Sequence, residues 1–194
     1  LAKQIYNKQS VLLYERGSVL TEQIIASIQN FGLLGVLILE PAEPLPPITD
    51  EEREFEQLQT SYMFRLRDCL VAISKGTNPE DFPALISAIY EKFGKLNHRA
   101  AFSQTIRSSE DYIYKHSVCM AILSAMTAHH LNFTPEESSS LIASALLADF
   151  GYLYVPKNIM AKKDDDLSSM DLLAIEQYRT KAFHLLQQET NPYG

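Results

Sequence analysis

The chain has 194 residues, of which 46% are hydrophobic and 21% charged, with a formal charge of −7. This is ordinary globular composition with ample material for a core. The acidic balance argues against a nucleic-acid polymer as partner. The longest apolar run, Phe31 to Leu39, is broken by glycine and far too short to span a bilayer, so no membrane partner is expected.

Cys69 and Cys119 lack metal-type spacing and read as buried free thiols of a reducing compartment, which points to the cytoplasm. The start carries no secretory pattern, and it opens on Leu1 rather than Met, as an excerpt of a longer protein would.

In chain order, AKQIYN and SVLLYE read as short strands, the second closed by the turn signal Arg16-Gly17-Ser18. Thr21 predicts the N-cap of a helix with Ile24, Ile25 and Ile28 on one face and Gly32 as its stop. GVLILE reads as a further strand, giving a β-β-α-β module over residues 1–40. Pro41, Pro44, Pro46 and Pro47 then make a semi-rigid linker over 41–48.

From Thr49 the pattern is helical to residue 194. Thr49 and Glu52 form a capping-box signature for a helix ending near Ser74, with Leu58, Met63, Leu66, Leu70 and Ile73 at helical spacing. That helix suits either its own core or pairing with a second protomer. Asn78-Pro79-Glu80 predicts a second helix start, with Leu85, Ile86, Ile89 and Phe93 inside and Gly94 as the stop. A short helix is expected around Arg99–Ile106. A long helix from Glu110 to about Leu131 places Tyr112, His116, Cys119, Met120 and Leu123 on one stripe. Thr134, Pro135 and Glu137 start another, which buries Leu141, Ile142, Ala145 and Leu146 and reads Ser138, Ser139 and Ser140 as a polar face. Gly151 turns the chain into an extended exit at Pro156. Lys162 to Asp166 reads as a solvated loop, and Ser168 with Asp171 caps a last helix.

Two residues in this pattern pose a chemical question. Asp149 falls on the apolar face at a helix C-terminus, where both desolvation and the helix dipole disfavour a carboxylate. A divalent metal, backbone N–H groups of the Gly151 turn, or a lysine would each answer it. His116 on its stripe is either a hydrogen-bonded core residue or a ligand.

The stretch DYIYKHSVCMAILSAMTAHHLNFTPEE, then LLADFGYLYVPKNIM, then LSSMDLLAIEQY, resembles the first half of an HD-GYP domain. The resemblance implies an HD-type helical bundle, mostly α, preceded by the small β-β-α-β module. It also implies descent from metal-dependent phosphodiesterases of cyclic di-GMP. Tyr112, His116 and Ser117 match the family's first motif, which puts His116 at a metal-ligand position. Asp149 matches its metal-bridging aspartate, and Gly151, Val155 and Pro156 match the exit. The departures are at three positions. Ala148 stands where the family has a histidine, Tyr152 where it has a phosphate-facing lysine, and Tyr178 where the next helix has a histidine. The sequence reaches Gly194 before the family's later ligands and Gly-Tyr-Pro loop would appear.

A catalytic metal centre needs at least three protein ligands and an open position. Alanine offers none, and neutral tyrosine is a poor one. His129 lies about 20 Å further along the same helix at 1.5 Å per residue, and His130 and His184 are no better placed. The expectation is therefore a degenerate, non-catalytic signalling or scaffold protein, with no cofactor, His116 and Asp149 as vestigial metal positions, and no catalytic residue. It is expected to form a homodimer through the 49–74 helix and the N-terminal module, and to meet a signalling-protein partner. Two alternatives stay open. One is an active cyclic di-GMP phosphodiesterase holding iron, manganese or a similar divalent metal with ligands beyond residue 194. The other is a sensor that binds cyclic di-GMP without cleaving it. Tyr152, Tyr154 and Tyr178 would then either line a pocket or fill the space the lost ligands vacate.

Overall fold

The computed structural model describes residues 1–33, 36, 38, 47–96 and 111–187. Two strands, β1 (Ile5–Tyr6) and β2 (Leu12–Tyr14), pair antiparallel with Ile5 opposite Tyr14 and Tyr6 opposite Leu12. Gly17, at a φ of 86°, turns the chain beyond them and donates its N–H to the Leu1 carbonyl at 2.9 Å. Helix α1 (Glu22–Asn30) follows, with the Thr21 hydroxyl accepting from the Ile24 N–H, and Gly32 ends it with a φ of 69°. Ile28 is buried and Ile24 half-buried, whereas Ile25 points to solvent, because the single face that this short helix buries is narrower than three isoleucines. Leu1, Ile5 and Ile28 form a small core of their own. The expected GVLILE strand lies outside the described residues apart from Val36 and Ile38, as do the proline linker up to Pro46 and the short helix around Arg99–Ile106.

The helical part comprises α2 (Asp50–Ser74), α3 (Phe82–Phe93), α4 (Tyr112–His130), α5 (Pro135–Leu147), the four-residue α6 (Lys157–Met160) and α7 (Ser169–Leu186). Capping boxes at Thr49/Glu52, Thr134/Glu137 and Ser168/Asp171 start α2, α5 and α7. Helix α3 begins at Phe82, three residues later than a cap at Asn78 suggests. Asp81 stands at its cap position without capping it, since its carboxylate takes two bonds from Arg65 at 2.7 and 2.9 Å, and Pro83 occupies the first turn instead. The main core is built from Phe55, Leu66, Leu70 and Ile73 of α2, Leu85 and Ile89 of α3, Val118 and Ile122 of α4, and Ile142 and Leu146 of α5.

Helix α4 buries a different face from the expected stripe. Ser117, Val118, Ala121, Ile122, Ala125 and Ala128 are buried, while Met120 and Leu123 are exposed. Small residues let α4 lie close to α5, so contact here is governed by size and not by apolar character alone. On α5, Ser138 is buried beside exposed Ser140, so the serine run is not one polar face; the Ser139 and Ser140 hydroxyls turn back to carbonyls four residues earlier. After Asp149 the chain winds into a 3-10 turn, Phe150–Tyr154, and only Val155 is extended before α6, in place of a longer extended exit. Among the described residues no helix is long and apolar enough to cross a membrane.

Helix α2 belongs to the helical core and also meets the N-terminal module through polar contacts. Between residues 55 and 70, Asp68 alone is exposed. Its lower face joins the helical core, while Met63 and Phe64 are buried outside that cluster, on the side where Arg67 covers the Phe64 ring and bonds to the Gly32 carbonyl at 2.8 Å.

Candidate functional site

The two residues singled out by their chemistry meet. His116, one turn into α4, and Asp149, two residues past α5, lie 2.5 Å apart between Nδ1 and Oδ2. A carboxylate can only accept, so the Nδ1–H of His116 is the donor and the tautomer of a neutral imidazole is fixed. This pairing answers the question posed by Asp149 without metal, lysine or turn amides: the donor is the histidine itself. Both side chains are partly exposed, at 34% and 20%. The Tyr112 ring stacks on the His116 imidazole at 5.4 Å between centroids, inclined by 26°. One turn thus presents its aromatic face to the ring while α5 delivers the acceptor.

The three departed positions have different surroundings. Ala148 is exposed and lines an open groove of about 720 Å³ between the end of α5 and α7, with Ser144, Leu147, Arg179, Phe183 and His184 among its walls. Tyr152 and Tyr178 are half-buried and are not among the groove's walls. Tyr152 has the Arg179 guanidinium 6.0 Å from its ring centre. Tyr154 packs edge-on against Phe150 and donates its hydroxyl to Ser74 Oγ of α2 at 3.0 Å. Tyr152 and Tyr154 hold the 3-10 turn to its neighbours.

Gly151 is required for a reason other than a turn. It lies in the right-handed 3-10 turn, and α7 crosses so closely that an added Cβ would stand 2.8 Å from the Arg179 Cα and 3.1 Å from its Cγ. Sequence reasoning read the glycine but not the partner, since nothing near Arg179 marks it as a crossing point. Ser117, which the sequence offered only as a motif match, has its hydroxyl buried next to His116 without a hydrogen-bond partner.

Among the described residues no three His, Cys, Asp or Glu side chains converge as a metal site would need. A catalytic divalent ion rests on three or more protein ligands, and among the described residues the pair supplies two donors, His116 and Asp149. Cys69 is buried and Cys119 half-buried, and the two do not form a disulfide. The chain was compared with known family models, curated proteins and solved structures, and none matches it.

Proposed function

We propose that this protein is a degenerate HD-GYP relative, a bacterial cytoplasmic signalling or scaffold component that presents an HD-type helical bundle without phosphodiesterase chemistry. The observation that supports this reading most is the direct His116–Asp149 hydrogen bond. Two side chains that the resemblance casts as ligands of one metal centre satisfy each other, and Ala148 and Tyr152 supply neither the third donor nor the cation that would hold a phosphate. In this reading the pair is a structural tie between α4 and the turn after α5. Partner recognition falls to the bundle surface. A homodimer would need a surface other than the middle of α2, which is committed within the chain.

The test combines metal content with turnover. Protein extended to its natural C-terminus and purified with iron, manganese and zinc present should hold well under one ion per chain and leave cyclic di-GMP intact. Two tightly held ions with hydrolysis would establish the phosphodiesterase instead. Micromolar calorimetric binding of the dinucleotide without turnover would establish a sensor.

A further inference from the structure

Helix α2 touches both the N-terminal module and the elements that carry His116 and Asp149. At its first turns, Glu56 is buried and paired with Lys3 at 2.5 Å, and Gln57 donates its side-chain amide to the Ser10 carbonyl at 2.7 Å. Further along, Arg67 bonds to the Gly32 carbonyl at 2.8 Å. These three clasps come from the N-terminus, the strand connection and the end of α1. They hold the module along about 16 Å of helix at 1.5 Å per residue.

The same helix reaches the site at two points. Gln59 donates to Cys119 Sγ at 3.0 Å, on α4 three residues beyond His116. Ser74, which donates its own hydroxyl to the Leu70 carbonyl, accepts from Tyr154, in the turn that begins directly after Asp149. A helix buried along its middle cannot bend freely, so a displacement at one end is carried to the other through packed contacts.

We propose that α2 is a coupling rod joining the N-terminal module to the His116–Asp149 pair, so that loosening the module loosens the pair. The inference holds whether or not the pair takes a ligand, and so does not depend on the absence of catalysis. Coupling free energy is reciprocal, which provides two independent tests.

Amide hydrogen exchange of the full chain reads both. In a Lys3→Ala, Gln57→Ala, Arg67→Ala variant, exchange should rise in residues 1–33 and, by roughly fivefold, also in 112–120 and 149–155. Site amides that keep wild-type rates while the module loosens would overturn the proposal, as would a module that stays protected. Tyr154→Phe removes one hydroxyl from an exposed hydrogen bond and keeps the fold testable should the triple variant fail to fold. It should raise exchange at Ser10 and Gly32 as well as at 149–155. Unchanged module amides in Tyr154→Phe would overturn the coupling on their own.

Discussion

At the level of single residues, the His116–Asp149 bond makes a claim about stability. Asp149→Ala leaves a partly exposed imidazole N–H without its acceptor, and the expected cost is about 1–2 kcal/mol. Urea unfolding measures it; an unchanged midpoint would show that the pair is no tie. Cys69 yields a second prediction. Burial, reinforced by the nearby Asp81 carboxylate, pushes its thiol from 9.0 up to about 11. Folding therefore favours the protonated thiol. The stability this provides is complete below about pH 9 and is lost as pH rises toward 11. Native Cys69 should accordingly react with iodoacetamide at pH 8 far more slowly than the partly exposed Cys119. The sequence shows each member of the His–Asp pair as an anomaly, because a polar group on an apolar face is a local signal. Their pairing is not local: 33 positions separate them, and only the packing of α4 on α5 brings them together.

At the level of elements, what is local was legible. The capping boxes of α2, α5 and α7 rest on residues three apart, and each forms as its pattern predicts. The face of α4 was not legible, because Ala121, Ala125 and Ala128 carry little apolar signal yet set how near two helix axes come. The module's two strands and helix could be read, whereas its docking on α2 depends on Lys3, Gln57 and Arg67, charged and polar residues that resemble any solvated face. Two predictions belong to α7. Hydrogen bonds from Lys162 and Ser168 hold Asp171 down at about 2, from an ordinary 3.8. Its contribution to the α7 cap is present above about pH 4 and is lost as pH falls toward 2, so acid should fray this helix early, as near-neutral and acid exchange data would show. Gly151→Ala places a methyl group against the Arg179 backbone. The expected result is a loss of about 1–3 kcal/mol with raised exchange in α7, and wild-type stability would refute the close crossing.

At the level of the whole molecule, two cores are joined through one helix. Leu1, Ile5 and Ile28 form one, Phe55, Leu66 and Ile89 belong to the other, and α2, part of the second, bonds to the module that holds the first. Thermal unfolding followed by calorimetry should therefore give one transition for the full chain; a separate low-temperature transition for residues 1–33 would contradict it. The middle of α2 has a further consequence for how this gene can drift. With Asp68 as the lone fully exposed position from 55 to 70, that segment has few neutral sites. A library randomising each of its codons, sorted for folded protein, should return nearly free choice at Asp68 and a narrow alphabet at its buried neighbours.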